Sequence, residues 1–583
     1  MTIYQPPGFL LVVGRDARGC ATEVVEAESD LGQWGGRADI SLTLQGPHDL
    51  ALGRAGHELV AIIGHNLGDA RADWFLEGME GRRRRASDLL RDRSLDIIGH
   101  WCLVSIAANR VAVATDHMGT YPVFQTTMKG RPDLRVVGTD LTRVADVSGR
   151  QQGDVISLRE FVARGAVTSP HTTYDGVTRL WPGTVAEADA PLEGPIGEFT
   201  SVDYWRPRRG TEPSPKRCAD LAGECREVFL SNAERIVDSS SRILVMASGG
   251  EDSRVIAAAL ARTAAGPTSI EAAIFLDGRN REYHVCRLAL RILGVPLGLR
   301  LRSADHYTAG LAERIASVGL GLGGLEHGHS LGLCDPNEAD LFVDGWAADT
   351  LYKAMYAPQR QREYRGFKLG LAKPVSVAGR ASDSDVSDAW AQRLVAKKEQ
   401  LQGFRPEEDV GSWTHIWPVS DKPTYGFFSA NRSYLPSVSP YLFGNLVDSA
   451  AGVPESAKLD RRFFHKAFGR WMRAAGLVPR TGGDVPILGP RTNLVVRPVV
   501  DLAFRLSSRL GRRGEVGSGP WQRRAVREQA VTAELASVPA EILEATEKTV
   551  AYRQAQESID SRNIRLLQIA RAVDADLLRL PAL

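Results

Sequence analysis

The sequence predicts an α/β protein of two units. A β-sandwich domain spans 1–207, and a doubly wound parallel-sheet domain with added helices spans 208–583. Three observations carry this. Residues 1–190 alternate short apolar runs with turn residues. A proline-rich stretch then interrupts the pattern. From about Cys218 strands alternate with helical stretches, which implies a parallel sheet with helices on its faces.

Each element has a local signature. "GFLLVVG", "ELVAIIGH" and "LRVVGTD" read as strands, being Val-, Ile- and Leu-rich runs bounded by Gly, Asn and Asp. "LVSIAANRVAVATD" reads as a hairpin turning at Ala108-Asn109. Helix is expected in "RASDLLRDR" and "SLREFVARG". "ADAPLEGPIGEFTSVDYWRPRRGTEPSPKR" has little periodicity and reads as a linker. Helix is predicted over 219–236, strand over 243–247, helix over 254–264, strand over 269–276 and helix over 282–293. "ADLFVDG" reads as a short buried strand, and most of the chain beyond it reads as helical. "GRRGEVGSG" reads as a mobile loop.

Composition narrows the function. With 583 residues, 43% hydrophobic and 24% charged, the chain is an ordinary globular one with room for large cores. A formal net charge of +2 argues against a nucleic-acid partner. The runs Arg82 to Arg85 and Arg505 to Arg527 read as solvated faces. No apolar run approaches the ~18 residues that span a bilayer, and "MTIYQPPGFLLVV" lacks a basic n-region. A cytosolic protein with no membrane partner is expected. Six cysteines (Cys20, Cys102, Cys218, Cys225, Cys286, Cys334) form no CxxC pair, so they read as reduced thiols rather than a zinc or redox site.

The chemistry concentrates in "ILVMASGGEDSRVIAAAL", residues 243–260. A buried strand runs into Ser248-Gly249-Gly250 and then into a helix. In a parallel sheet, ligands bind beyond the carboxyl ends of the strands. Glycines let the backbone approach a ligand closely, and a helix N-terminus suits phosphate. An acid there repels phosphate unless a cation lies between them, so Asp252 reads as a Mg²⁺ ligand and Ser253 as a donor. The same residue types also make plain helix caps. Neither a GxGxxG fingerprint nor a GKS/T loop occurs in this stretch.

This stretch resembles the SGGxDS pyrophosphate loop of ATP pyrophosphatases, and within them the asparagine synthetase-like family. The resemblance covers most of the chain. "VATDHMGTYPVFQ" resembles "D..G..PLY", and "TRLWPGTVAEAD" resembles "L.PG". "DYW" before the linker matches as well. Glu282 falls on an acid one strand after the loop. "VDGWAADTLYKAMY" resembles "GDGADELFGGY", with Asp349 on the second metal-binding acid. "SVSPYLFGNLVDSAAGVPES" resembles "R.PFLD..LV..A..LP".

The departures are as informative. Thr2 stands where family amidotransferases carry a nucleophilic cysteine, so glutaminase activity is not expected and the N-terminal, Ntn-hydrolase-like domain reads as degenerate. Trp346 stands where asparagine synthetases have an acid and β-lactam synthetases a tyrosine, and an indole takes no proton near neutrality. Phe443 replaces the aspartate of PFLD. The family's later lysine has no clear match, and Arg480 and Arg491 are its candidate substitutes.

The resemblance implies ATP and Mg²⁺ as cofactors. It implies a substrate carboxylate that becomes an acyl-adenylate and is captured by an amine. Asp252 and Asp349 would hold the metal, and Asp252, Asp349 and Arg480 would be catalytic. Ser248, Gly249, Gly250, Asp252, Ser253 and Gly345 would bind the nucleotide. The missing cysteine, the chain length and Trp346 favour a lasso-peptide cyclase, joining a peptide's own amine to a side-chain carboxylate. Its partners would be that peptide, and a leader peptidase or precursor-recognition protein. A small-molecule amide or β-lactam-type synthetase, an ammonia-using synthetase and an inactive scaffold remain alternatives.

Three further groups carry weaker signals. His327 and His329 in "LEHGHSLGL" read as a polar loop or pocket lining rather than a metal pair. Cys286 and Cys334 read as buried. Trp413 and Trp417 stand at helical spacing and read as core.

Overall fold

The structure is a computed structural model. It describes residues 8–14, 33–34, 40–45, 50–55, 58–67, 75, 77, 84–107, 109–190, 196–208, 215–264, 266–303, 305–306, 308–309, 315, 320, 330, 332–335, 337–356, 363–364, 367–368, 384–432, 435–509, 524–550 and 559–581.

The first unit holds twelve of the described strands. They are β1 (Gly8–Val13), β2 (Gln33–Trp34), β3 (Ile40–Gln45), β4 (Leu50–Ala55), β5 (Glu58–Asn66), β6 (Gly99–Ala107), β7 (Arg110–Thr115), β8 (Phe124–Met128), β9 (Arg131–Gly138), β10 (Thr178–Arg179), β11 (Thr184–Asp189) and β12 (Thr200–Asp203). They form two six-stranded sheets, β10-β8-β9-β1-β3-β2 and β12-β11-β7-β6-β5-β4. The pairings within them are antiparallel.

The run "GFLLVV" is apolar throughout because both of its faces are buried. Successive residues of a strand point to opposite faces. Phe9, Leu11 and Val13 meet Leu59, Cys102 and Val104 of the other sheet. Leu10 and Val12 face outward with Leu141 and Val144, Leu158 and Phe161. Those residues lie on the helices Leu141–Val147 and Val155–Arg164. On the far side, Val60, Ile62 and Leu103 bury Leu89 and Leu90 of the helix Ala86–Arg93. The result is a helix-sheet-sheet-helix stack. The stretch read as a linker departs from expectation in one respect: β12 lies inside it, because Thr200–Asp203 pairs along β11 as an edge strand.

The second unit contains β13 (Arg242–Met246), β14 (Ser269–Leu276), β15 (Leu297–Leu301), β16 (Leu341–Val343), the small pair β17 (Glu363–Tyr364) and β18 (Phe367–Lys368), and β19 (Ser437–Val438). Five of them make one sheet in the order β15-β14-β13-β16-β19, all parallel. The chain builds outward from β13 to β15, then returns to β13's other side for β16. That reversal is a topological switch, and the carboxyl ends of β13 and β16 are where sheets of this kind bind ligands.

The chain's end returns to the first unit. Arg565 donates from Nη1 to the Val162 carbonyl at 3.0 Å, and Gly153 N–H to the Arg579 carbonyl at 2.8 Å. "GRRGEVGSG" lies outside the described residues.

Candidate active site

The glycine turn sits at that switch point, between β13 and the helix that follows it. The helix after it runs Asp252–Thr263, two residues earlier than the sequence suggests, so Asp252 and Ser253 form its first turn. Its capping residue, Glu251, makes no side-chain capping bond. Plain capping therefore does not explain the acids. Around the turn, Ser248 N–H donates to Ser253 Oγ at 3.1 Å and Gly250 N–H to Ser248 Oγ at 3.2 Å. Gly249 N–H donates to Glu282 Oε1 at 3.3 Å, which brings the acid of the following helix to the loop.

Close approach leaves no room for a side chain at Gly249 as the loop stands and little at Gly345. A Cβ on Gly249 would lie 1.9 Å from Thr481 Oγ1, and one on Gly345 would lie 3.2 Å from Asp252 Cβ. Gly249→Ala should therefore force the Thr481 side chain to turn away from the loop. Under the reading that the loop cradles a nucleotide, Mg·ATP binding by calorimetry should weaken sharply while far-UV circular dichroism holds. Unchanged binding would show that the loop tolerates a side chain and does not meet the nucleotide.

Asp252 and Asp349, which the sequence assigns to one metal, do converge. They meet on Lys353, whose Nζ lies 2.9 Å from Asp349 Oδ1 and 3.1 Å from Glu251 Oε1 and is bonded to Asp252 Oδ1. Lys353 is buried. Burial pushes Asp252 up to about 7, opposed by Lys353 and reinforced by the neighbouring acids Asp349 and Glu251. Burial also acts to raise Asp349, but the Lys353 ammonium outweighs it and holds that carboxyl below its usual range. Glu251 is fully enclosed. His465 Nε2 stands 2.9 Å from it, Arg461 Nε 3.3 Å and Arg480 Nη1 3.7 Å. Against the cost of burial, Lys353, His465 and Arg461 hold Glu251 well below the carboxylate range.

The positions are fixed from behind. Arg254, 1% exposed, donates to the carbonyls of Gly249, Ala475, Val478 and Pro479. It ties the loop to the segment that delivers Arg480. The Tyr441 hydroxyl donates to the Asp252 carbonyl at 3.2 Å. Ala347 and Ala354 bracket the helix Ala348–Tyr352 with φ of 67° and 51°, backbone that costs a non-glycine residue about 1–3 kcal/mol and persists where the surroundings dictate it.

Beyond Asp349 lies an aromatic corner. Trp346 stacks on Phe428 at 5.5 Å and donates from Nε1 to Thr424 Oγ1 at 3.2 Å. Lys422 Nζ sits 5.4 Å from the Trp346 ring and 5.5 Å from the Tyr356 ring, and donates to Thr350 Oγ1 at 3.1 Å. Burial pushes Lys422 down to about 7, with Asp349 acting weakly the other way.

The remaining predicted residues divide. Arg480 reaches the loop, but it is bonded to Asp484 and faces Glu251, so acids already share its charge. Arg491 lies on the helix Pro490–Arg509, with its side chain outside the described residues. Phe443 is buried edge-on to His100 at 5.3 Å. Trp413 and Trp417 are core, at 1% and 0% exposure. Cys286 and Cys334 are buried, and burial pushes the Cys334 thiol up to about 11. Arg84 of the basic run pairs with Asp92. Thr2, Cys20, His327 and His329 lie outside the described residues. Glu251, Lys353, Lys422, Arg461 and His465 escape the sequence reading. Lys353 left a signal: it stands where the "GDGADELFGGY" element has its first glycine after the phenylalanine.

No family model matches the chain, and no curated protein does. Several solved structures overlap it in part, two of them as follows. One is the allosteric regulatory enzyme of purine biosynthesis, at 10% identity and TM-score 0.20, over 51% of this chain and 75% of that one. The other is the glutamine phosphoribosylpyrophosphate amidotransferase from B. subtilis, complexed with ADP and GMP. It aligns at 10% identity and TM-score 0.19, over 52% of this chain and 62% of that one. Overlap this loose leaves the architecture to rest on the sheet orders described above.

Proposed function

We propose that the protein is an AMP-forming carbon–nitrogen ligase, and within that class a macrolactam-forming peptide cyclase. The observation that carries the ligase reading is the convergence of Asp252 and Asp349 beside the Ser248-Gly249-Gly250 turn. Both acids leave adjacent parallel strands, β13 and β16, at the switch in strand order.

Among the described residues no cluster of three or more His, Cys, Asp or Glu side chains could hold a metal by itself; two carboxylates that reach one cationic atom suit Mg²⁺, which takes one or two carboxylates together with substrate phosphates and water. Asp252 and Asp349 would hold the ion. Bound there, Mg²⁺ supplies charge neutralisation to phosphate oxygens. The chain's own residues do the rest. Ser248, Gly249, Gly250 and Ser253 would cradle the pyrophosphate, with Gly345 keeping the opposite wall close to the Asp252 backbone. Arg461 and Arg480 would offer it positive charge as it leaves. The substrate carboxylate attacks the α-phosphorus, and the bond to pyrophosphate breaks. An amine then attacks the acyl carbon, the acyl–oxygen bond breaks, and AMP departs with that electron pair. The amine's proton needs an acceptor. Trp346 offers none, whereas Lys422 beside it is an amine that burial discharges near neutrality.

A peptide's own N-terminus is the amine source we favour, with a leader peptidase or precursor-recognition protein as partner. Small-molecule and β-lactam-type synthetases would use the same site with a different acceptor. Lys353 among the acids is the feature that favours an inactive scaffold. Carboxylic acids and peptides should be screened for acid-dependent ATP–pyrophosphate exchange. AMP and pyrophosphate are the expected products. ADP formed in step with acyl-substrate turnover would rule the mechanism out, and silence across peptides that bind would favour the scaffold.

A further inference from the structure

The acids assigned to the metal already hold a cation of the chain's own. Lys353 follows Asp349 by one helical turn, and its ammonium touches Asp252, Asp349 and Glu251 together. It is 5% exposed, and the Phe464 ring closes the remaining side at 4.2 Å from Nζ. An ammonium between three carboxylates and an aromatic face occupies the point that the oxygens of Asp252 and Asp349 define. Mg²⁺ binds carboxylate oxygen at about 2.1 Å, so the two cations cannot share that point.

We propose that Lys353 is a resident counter-cation which a divalent metal must displace, so that the free protein binds metal weakly and takes it up together with the nucleotide. This rests on the assignment of Asp252 and Asp349 as the metal-binding pair. The surroundings explain why nucleotide is needed. Of its three carboxylates, a displaced ammonium would keep only Glu251. Glu251 already faces the guanidinium groups of Arg461 and Arg480, so Lys353 would be left sharing its one remaining carboxylate with two other cations. Arriving triphosphate reverses that balance. Its oxygens give Lys353, Arg461 and Arg480 new partners and free Asp252 and Asp349 for the metal. A hydrated divalent ion alone brings no anion and leaves the ammonium without a place. Lys353 thereby also keeps three acids from repelling one another in the free chain, a cost that would otherwise fall on folding.

Mn²⁺ is the probe, followed by the paramagnetic signal of the free ion, with the full-length chain and no nucleotide. Lys353→Met should bind Mn²⁺ about tenfold or more tighter than wild type, the size expected for one contacting charge pair. The variant should melt lower in chelator and recover with Mn²⁺, while the wild-type midpoint stays put. Adding Asp252→Asn to Lys353→Met should abolish the gain. Wild type binding Mn²⁺ alone as tightly as Lys353→Met overturns the proposal, and so does a gain that survives Asp252→Asn. Lys353→Gln, of similar length, repeats the comparison if the methionine variant does not fold. Failure of the ligase reading looks different: a non-hydrolysable ATP analogue would bind no variant, while the Mn²⁺ difference between wild type and Lys353→Met would remain.

Discussion

Asp252→Asn and Asp349→Asn should each lower acid-dependent ATP–pyrophosphate exchange by roughly 100-fold or more, the scale of several kcal/mol that a metal contributes to developing charge. The two acids come from distant parts of the chain. They are brought together only because β13 and β16 are neighbours in one parallel sheet. Gly345 keeps the β16 loop close enough for its backbone to lie against Asp252 and Ser253. Asparagine nearly preserves the shape of each side chain and removes its charge, so a geometric role would survive the change and a charge role would not. Folding should hold, because each substitution removes one of three acids that share the Lys353 ammonium. The measurements are exchange with whichever acid drives the wild type, Mg·ATP binding and melting temperature. Near-wild-type exchange in one variant would remove that residue from the metal site. If both stay active, adenylation takes place elsewhere.

The features legible in the sequence are those where chemistry restricts residue type. The turn at 248–250 stands out by its glycines, of which Gly249 lies against Thr481, and Asp252 stands out as an acid at a helix N-terminus, a place that otherwise suits phosphate. The strands at 243–247 and 269–276 were readable from their apolar runs, and the structure places β13 and β14 there. Strand order was not readable, since it depends on which side of β13 the chain chooses after β15. Lys353 was hidden in plain view. An Asp–Lys pair four residues apart looks like an ordinary surface pair on a helix, and only its burial beside Glu251 and Asp252 makes it otherwise. Arg461 and His465 belong to the segment around the helix Arg462–Met472, more than two hundred positions from the loop they serve, and no local pattern reveals that. Lys422 sits in "SDKPTYG", which reads as a solvated turn until the aromatic rings around it are known.

Lys422→Met should stabilise the protein at neutral pH, and the gain should vanish as the solution approaches the ordinary lysine range. Lys422 is 4% exposed, and no carboxylate among the described residues forms an ion pair with it. Its hydroxyl partner, Thr350, is neutral. The rings of Trp346 and Tyr356 favour the charged form by about 0.5–2 kcal/mol. Burial of an unpaired ammonium costs more, and the amine is pushed down to about 7. The direction with pH comes from proton counts. An unfolded lysine releases its proton near 10.4, so between about 7 and 10 the unfolded chain holds a proton that the folded chain has given up. Stability therefore rises with pH across that window, and the penalty is fully present below it. At neutrality it is on the order of 4 kcal/mol. Methionine fills a similar volume with no charge to discharge. Urea unfolding of both proteins near pH 7 and near pH 10 reads the difference directly, and it should shrink as pH rises. A variant that is less stable at neutrality, or a difference that does not move with pH, would mean that the amine stays charged and paired in the folded chain. The same variant then bears on the reaction: amide formation should fall while ATP–pyrophosphate exchange persists, because an amine uncharged near pH 7 is the group beside Trp346 that can take the nucleophile's proton.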